Sequence, residues 1–342
     1  MLKFYIGASG YGKTTKIIDD IIERSVREPD RQFTIIVPDQ FTMQTQKDVV
    51  LRHPRKGIMN IDVQSFSRLG HRLADEVGEK DRLILDDTGK NLILRKLSAD
   101  LGDKLPVIGS SIKKTGYIHE VKSAISEFEQ YGIAPTDIDK LMEFTSGKPF
   151  LKGKLSDLKC LYEEMNRFCG EKFITREERL DVLAEAVTKS ERLKGSIVAF
   201  DGFTGFTPVQ NNVITALMRT CSEVWMSIIM PAEEYEDYRK HNEDHRLFSL
   251  SMRTVFSMEQ LAHDADCGRM EDEFLVDDKK NRFAEKQSLS FLEKSLFRSG
   301  CRPFSGEMSE ELSLFFADRR GGRRLGGGHL QLHVSSYFLC HF

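Results

Sequence analysis

The sequence lacks the features that mark several broad classes of protein. No apolar run approaches the roughly 20 residues needed to cross a bilayer, and the first residues do not form a secretory signal pattern. Lysine and arginine (50) nearly balance aspartate and glutamate (53), so the net charge of -3 gives no global sign of nucleic-acid binding. These absences favour a cytoplasmic protein that makes no contact with a membrane.

Cysteine is also sparse, and it never occurs as a C-x-x-C pair. We therefore expect free thiols in a reducing compartment rather than a zinc site or a disulfide framework. The scattered residues are Cys160, Cys169, Cys221, Cys267, Cys301 and Cys340. A hydrophobic content of 40% and a charged content of 30% are typical of a soluble globular protein. The 342 residues suggest two domains, or one domain with an insertion.

The strongest motif is a glycine-rich loop, residues 7–14, which reads G-A-S-G-Y-G-K-T. It matches the phosphate-binding pattern G-x-x-x-x-G-K-[ST] at every fixed position. Residues 2–6 predict a buried strand before the loop, and isoleucines at helical spacing predict a helix after it. Such a loop leaves backbone N–H groups free to surround phosphate oxygens. A tight turn with an incidental lysine is the alternative, but the strand and helix favour nucleotide binding.

The predicted nucleotide site covers the loop and one residue beyond it. Lys13 would reach the β- and γ-phosphates of ATP, and the Thr14 hydroxyl would ligate Mg²⁺. The full set is Gly7, Ala8, Ser9, Gly10, Tyr11, Gly12, Lys13, Thr14 and Thr15.

The hydrophobic pattern predicts an α/β fold with a parallel sheet. In residues 1–85, strands at 2–6, 33–37 and 59–63 alternate with helices, which calls for a sheet covered on both faces. Ligands of such sheets gather at the carboxyl ends of the strands. The glycine-rich loop and the segments 38–40 and 64–66 each follow a strand directly, so we expect them on one rim.

Residues 86–192 change character, because strand signals vanish and helical spacing dominates. We predict an all-helical insertion there. Its scattered basic residues predict a solvated face, with a nucleic-acid track as the alternative. They include Lys148, Lys152, Lys154, Lys159 and Arg167.

The α/β pattern resumes in residues 193–318. The apolar run 196–200 predicts a strand that ends in Asp201. A P-loop protein needs a carboxylate at such a strand end to hold Mg²⁺ opposite the threonine hydroxyl. Asp201 is therefore the second predicted metal ligand after Thr14, although a plain acidic strand cap is the alternative.

At this point the motifs carry a resemblance to a known family. The ordered set of glycine-rich loop, V-P-D-Q-F, V-Q-S-F-S-R-L, helical insertion and F-D-G-F-T-G-F-T-P-V-Q resembles the AddB family over about residues 1–318. These proteins are B subunits of bacterial ATP-dependent helicase/deoxyribonucleases, and their N-terminal region is similar to UvrD-like superfamily-1 helicases. The resemblance implies a RecA-like P-loop domain interrupted by a helical subdomain. It also implies a heterodimer with an AddA-type helicase–nuclease that acts on double-strand DNA ends in recombinational repair.

The chain departs from the superfamily-1 motors at one catalytic motif. Those motors carry D-E-x-Q-D-x-x-x-x-Q where this chain reads D-G-F-T-G-F-T-P-V-Q from Asp201 to Gln210. Gly202 replaces the glutamate that activates water, and Gly205 replaces the second aspartate. Since a glycine cannot take a proton, we predict a site that binds ATP and Mg²⁺ but hydrolyses ATP slowly or not at all.

The resemblance also implies DNA contacts on the rim. Residues after the second and third strands stand where superfamily-1 motors place contacts to single-stranded DNA, with core packing as the alternative for Phe66. The predicted set is Gln40, Phe41, Gln64, Phe66 and Arg68.

Other family features find no counterpart in the sequence. Family chains are several times longer and end in a RecB-like nuclease domain with cysteines that ligate a [4Fe-4S] cluster. None of the six cysteines here falls in those motifs, so we assign no cluster ligand and no nuclease residue. Residues 311–318 read as a further strand, whereas residues 319–342 begin with a basic Gly/Arg run, lack a pattern and are predicted to be an aberrant or disordered tail. A free-standing P-loop NTPase or small-molecule kinase is the alternative function.

Overall fold

The strands and helices follow one another in an alternating α/β order. The computed structural model describes residues 1–306 apart from 58–59, 79–82, 110, 113, 146, 171, 176, 278–280 and 299. The strands are β1 (Leu2–Gly7), β2 (Phe33–Ile36), β3 (Ile61–Gln64), β4 (Leu83–Leu85), β5 (Phe173–Thr175), β6 (Ile197–Phe200), β7 (Glu223–Ile229) and β8 (Glu273–Phe274). The helices are α1 (Lys13–Arg27), α2 (Thr42–Arg52), α3 (Phe66–Val77), α4 (Asp87–Leu101), α5 (Thr115–Gln130), α6 (Asp137–Glu143), α7 (Pro149–Cys169), α8 (Glu178–Lys189), α9 (Pro208–Thr220), α10 (Tyr235–Lys240), α11 (Ser249–Asp264) and α12 (Gln287–Ser295).

Six strands form one parallel sheet in the order β3-β2-β6-β7-β1-β8. The pairing places Gly7 at the end of β1 level with Ile229 at the end of β7, and Ile36 of β2 level with Phe200 of β6. All the carboxyl ends therefore meet at one edge. This confirms the α/β class, the parallel sheet and the predicted common rim.

Alternate residues along the strands pack into two different cores, as the two-residue period of a strand requires. Phe4 and Ile6 of β1 face α3, α8, α9 and α11, whereas Tyr5 between them faces the other side with α1 and α2. Every residue of β2 and β6 is buried, because helices cover both faces of the sheet.

A third apolar core lies among α4, α5, α6 and α7. Ile93, Leu94, Ile125, Leu161 and Met165 are members of this cluster, which is separate from the two clusters on the sheet. The helical stripes predicted for this part of the chain are thus core. The apolar face of α8 belongs instead with the sheet, since Leu183 and Val187 pack in the cluster with α3 and α9.

The expectation of an all-helical segment over residues 86–192 is wrong in one place. Strand β5 lies inside that range and pairs in parallel with β4 to form a second sheet. The strand is only three residues long, so it shows too little alternation to be recognised beside longer helical patterns.

The remaining expectations about topology concern the end of the chain and the membrane. The strand predicted at 311–318 and the tail predicted at 319–342 lie outside the described residues. Within the described ranges, no helix has the length and hydrophobicity needed to span a bilayer. The five cysteines in those ranges are free thiols, and Cys340 lies outside them.

Candidate nucleotide site and adjoining cleft

The glycine-rich loop joins β1 to α1 at the carboxyl edge of the sheet. Gly10 and Gly12 adopt φ angles of 86° and 80°, in the left-handed region that residues with a side chain rarely enter. Helix α1 begins directly after Gly12, and its first turn contains no acidic residue. The positive end of the helix dipole and its free N–H groups therefore face the loop, which is the arrangement that favours an anion.

Lys13 is the first residue of α1, and it is almost completely buried. Its Nζ donates hydrogen bonds to the backbone oxygens of Gly7 and Ala8 at 2.8 and 2.9 Å. Burial lowers the pKa of Lys13 to about 8, and the nearby carboxylate of Asp201 opposes that shift. A buried ammonium that is held only by neutral carbonyls would gain strongly from an anionic phosphate oxygen.

Asp201 directly follows β6, and β7 lies between β6 and β1 in the sheet. The Thr14 hydroxyl donates a hydrogen bond of 2.7 Å to Oδ2 of Asp201, and only 8% of Asp201 is exposed. The two predicted metal ligands are thus in direct contact. One hydroxyl and one carboxylate fit Mg²⁺, which takes few protein ligands and keeps several waters or phosphate oxygens. Consistent with so open a site, no cluster of three or more potential metal ligands occurs in the described part of the chain.

A cavity of about 580 Å³ opens above the loop and brings most of the predicted nucleotide residues together. From the loop it is lined by Ser9, Gly10, Gly12, Lys13, Thr14 and Thr15. The remaining lining residues are Val37, Phe41, Gln44, Thr45, Asp48, Asp201, Gly202, Ser227, Ile229 and Arg282. The other predicted residues support the loop itself, because Gly7 and Ala8 bond Lys13 and the Tyr11 N–H donates to the Ala8 oxygen at 3.4 Å. The cavity size is within the usual range for a small-molecule site.

Arg282 is a site residue that the sequence analysis missed. The segment 281–283 lies against the loop, since the Arg282 N–H donates to the Gly10 oxygen at 3.1 Å. Its guanidinium lines the cavity and adds a second positive charge there. Burial lowers the pKa of Arg282 from its ordinary value, but an arginine remains charged throughout the physiological range. No local motif marked this residue, because only the fold brings it to the loop.

Gly202 follows Asp201 and also adopts a left-handed conformation, with φ 78°. A Cβ atom there would lie 3.5 Å from Cδ of Pro38 and 3.7 Å from the Phe41 ring. The position therefore has room for a side chain, but its backbone favours glycine.

A second concavity, the polar cleft, adjoins the cavity on the same rim and has a volume of about 810 Å³. Its walls come from the ends of β2 and β3, from the loop after β6, and from α5 and α8. Of the predicted DNA contacts, Gln40 and Phe66 line this cleft, whereas Phe41 lines the nucleotide cavity. The Gln64 backbone oxygen accepts the N–H of Val37 at 3.0 Å.

Phe66 is mainly a core residue. Only 8% of it is exposed, and its ring centroid lies 5.9 Å from that of Phe200 and 5.7 Å from that of Phe203. Arg68 is exposed, and its backbone N–H donates a hydrogen bond of 3.4 Å to Oγ of Ser65, which caps α3. The predicted contacts are thus split between the cleft, the cavity and the surface, and their role in DNA binding stays a prediction.

The charged side chains that line the cleft are mostly acidic. Asp39, Asp87, Glu127 and Glu177 line the cleft with a single lysine, Lys122, whose ammonium lies 3.1 Å from an Asp87 carboxylate oxygen. Serine and glutamine supply many of the other lining groups. The excess of carboxylates makes the cleft unsuited to a line of phosphates.

A buried ion cluster holds the helical wall of the cleft in place. Lys90 of α4 donates to Glu129 at 2.8 Å, to Glu177 at 2.9 Å and to Ser126 Oγ at 3.0 Å. Burial raises the pKa of Glu129, whereas the bonds from Lys90 outweigh burial and lower that of Glu177. The cluster ties α4 to α5 and to the residue before α8, and so fixes the wall opposite the sheet.

Comparison with known proteins shows the family. A family model described as "ADDB, N-terminal" matches residues 4–293. The chain belongs to the AddB N-terminal family. Several relatives share one description, the B subunit of an ATP-dependent helicase/deoxyribonuclease. The protein of Lachnoclostridium phytofermentans is 39% identical over 90% of this chain and 27% of its own length. The protein of Listeria monocytogenes is 26% identical over 93% of this chain and 27% of its own length.

A third relative of the same description, from Alkaliphilus oremlandii, is 28% identical over 90% of this chain and 26% of its own length. The chain thus spans about a quarter of the length of the curated relatives it matches. The resemblance to the AddB family is confirmed.

Proposed function

We propose that this chain is the ATP- and DNA-binding N-terminal region of a helicase/deoxyribonuclease B subunit. In this proposal the six-stranded sheet is a RecA-like P-loop domain, and α4 to α7 with β4 and β5 form a subdomain inserted in it. The observation that carries the proposal is the contact between Thr14 and Asp201 beneath the glycine-rich loop, in a chain of the AddB N-terminal family. It joins two residues that the sequence singled out separately as magnesium ligands.

Nucleotide binding follows from the chemistry of the loop. The N–H groups at the start of α1 and the Lys13 ammonium would hold the phosphates, and Arg282 would add charge from the segment beside the loop. Thr14 and Asp201 would hold Mg²⁺, directly or through water, and the ion would neutralise phosphate charge. Phe41 offers an apolar surface beside these groups.

Hydrolysis is expected to be slow. General-base assistance is typically worth about 10²–10⁴-fold, and Gly202 has no side chain with which to supply it. Asp48 also lines the cavity and accepts a hydrogen bond of 2.8 Å from Gln44. It projects from α2 rather than from the strand end that carries Asp201.

We further propose that the polar cleft binds single-stranded DNA and that the protein works in a cytoplasmic heterodimer with an AddA-type helicase–nuclease. The complex would act as an exonuclease and helicase at double-strand breaks, ahead of recombinational repair. Support comes from the names of the relatives, and from the polar lining of the cleft. A [4Fe-4S] cluster is expected only in the full-length family protein, because none of the six cysteines of this chain falls in the family's ligand motifs.

One experiment separates this proposal from a free-standing NTPase or kinase. ATP affinity and turnover are measured for the chain alone, with single-stranded DNA, and with an AddA-type partner. We expect micromolar-range binding that Mg²⁺ strengthens, with little turnover in any arm, and loss of binding in Lys13→Ala but not in Lys16→Ala. Robust turnover by the chain alone would refute the slow site, and phosphate transfer to a metabolite without any DNA effect would favour the kinase.

A further inference from the structure

The connection between α6 and α7, together with the start of α7, presents a group of basic and aromatic side chains that are exposed or, for Lys154, half-buried. We call the set Phe144, Lys148, Phe150, Lys152 and Lys154 the basic–aromatic patch. Phe144 is 86% exposed and Phe150 is 66% exposed. The backbone beneath them is ordered by local hydrogen bonds, because Thr145 Oγ1 donates to the Met142 oxygen at 2.7 Å and the Lys148 N–H donates to the Thr145 oxygen at 2.9 Å.

The lysines of the patch differ from the basic residues around them. Lys140 lies 2.8 Å from Asp137, Lys159 lies 2.6 Å from Asp139, and Arg167 lies 2.7 Å from Glu164. Among the residues that the structure describes, by contrast, no carboxylate makes an ion pair with any of the three patch lysines. The sequence itself has no acidic residue between Glu143 and Asp157. The patch is therefore an uncompensated positive surface, although the chain as a whole is slightly acidic.

This charge lies where it does not help the helix. Helix α7 begins at Pro149, has no acidic residue in its first turn and has no side-chain cap. Cations near a helix N-terminus oppose the dipole and cost stability. Lysines that cost helix stability and gain no ion pair in return are typical of a binding surface.

Phe150 lies in the first turn of α7, outside the apolar core of that helix. Leu161 and Met165 are fully buried in the core of α4 to α7, whereas Phe150 is mostly exposed. The Lys154 ammonium lies 4.9 Å from the Phe150 ring centroid. Phe150 thus combines an exposed ring with a neighbouring cation, and Phe144 adds a second exposed ring, which matches an alternation of bases and phosphates.

We propose that the basic–aromatic patch is a second contact site for single-stranded DNA, separate from the polar cleft. Its lysines would bind phosphates, and Phe144 and Phe150 would stack on bases. The 21 residues of α7 place the patch roughly 30 Å along the helix from the end that leads into β5. The inference rests on the proposed function in that it takes DNA as the ligand. It adds a second site, the basic–aromatic patch, which is positively charged where the polar cleft is mostly acidic.

The opposite end of α7 supplies a matched control. There Phe168 is 41% exposed and the Lys96 ammonium lies 6.0 Å from its ring centroid. That lysine also pairs with Asp100 at 3.2 Å, so its charge is compensated. The same aromatic and basic residue types therefore occur without the free positive charge.

The test measures binding of the whole chain to a fluorescent oligothymidylate over a range of salt concentrations. For single strands, each phosphate contact adds about 0.7 to the steepness with which the logarithm of the binding constant falls against the logarithm of salt concentration. The triple variant Lys148→Ala/Lys152→Ala/Lys154→Ala should therefore make this slope shallower by about 2. Phe150→Ala and Phe144→Ala should each weaken binding at least about fivefold. Lys140→Ala and Phe168→Ala should bind like the unchanged chain. Since every altered side chain is at least partly exposed, circular dichroism should show unchanged folding.

The outcomes separate this inference from the proposed function. If the chain binds oligothymidylate and ATP but the patch variants bind DNA normally, the patch proposal is wrong and the proposed function stands. If the unchanged chain binds no DNA, both are wrong. Equal losses on a duplex of the same length would show a general polyanion surface and overturn the single-strand assignment. Normal DNA binding with loss of the AddA-type partner would identify a protein-docking surface instead.

Discussion

Gly10 and Gly12 are a matched pair of glycines in the same loop, and they allow the contact with segment 281–283 to be measured. Both adopt left-handed φ angles, 86° and 80°. A Cβ added at Gly10 would lie 2.9 Å from Asn281 Oδ1 and 2.9 Å from the Phe283 ring. A Cβ added at Gly12 would meet no heavy atom within 4 Å. Gly10→Ala therefore adds a steric clash to a backbone cost that both variants share.

The expected magnitudes follow from these two terms. An alanine in the left-handed region costs about 1–2 kcal/mol, so Gly12→Ala should lower the free energy of unfolding by that amount. Overpacking typically costs about 1–3 kcal/mol more, which applies only to Gly10→Ala because ring and amide atoms lie in its path. The difference between the two variants should thus be about 1–3 kcal/mol.

Urea denaturation of both variants without nucleotide gives the difference directly, provided that the slope against urea is unchanged. Arg282→Ala serves as a further control, because it removes a charge from the cavity and keeps the backbone bond to the Gly10 oxygen. It should weaken nucleotide binding with little change in stability. Equal destabilisation by Gly10→Ala and Gly12→Ala would refute the packing of segment 281–283 on the loop.

Three other predictions follow from the site. Burial lowers the pKa of Lys13 from the ordinary lysine value of 10.5 to about 8. Between these two pH values the unfolded chain therefore binds more protons than the folded chain. The free energy of unfolding should therefore rise with pH in that window while nucleotide affinity falls, which urea and binding titrations on either side of pH 8 will check. Asp201→Asn should weaken binding of ATP with Mg²⁺ about tenfold and leave the Mg²⁺-free affinity unchanged in a chelator control. Phe66→Ala should cost about 3–5 kcal/mol of stability, whereas exposed Gln40→Ala should change stability by less than about 0.5 kcal/mol and weaken DNA binding in an anisotropy assay.

The sequence was informative wherever the chemistry is local. The glycine-rich loop between a strand and a helix is defined by neighbouring residues, so its position at the sheet edge was predictable. The contact between Thr14 and Asp201 was also predictable, because parallel strands bring their carboxyl ends to one rim. Both features depend only on strand direction and on residue type at strand ends.

Features that depend on side-chain packing were not predictable in this way. Arg282 contacts the loop only because the chain returns beside β1 through the two-residue strand β8. Phe66 was ambiguous, since an aromatic residue after a strand fits both a stacking platform and a core, and only its neighbours Phe200 and Phe203 decide. Likewise, no sequence pattern distinguished Lys159, which makes an ion pair with Asp139, from Lys152, which makes none with the described residues.

In the loop after β6, the position that carries glutamate in the superfamily-1 motors is held here by a glycine in a left-handed conformation. Gly202 adopts φ 78°, so a glutamate there would have to carry about 1–2 kcal/mol of left-handed strain before it could accept a proton. The loop is thus shaped around glycine, whereas Lys13, Thr14 and Asp201 keep the contacts that phosphate and magnesium need. Under the proposed function, such a site would respond to nucleotide occupancy rather than to turnover. Segment 281–283 bonds the loop at Gly10 and precedes α12 by three residues, so a change in occupancy would then reach the chain that follows the sheet.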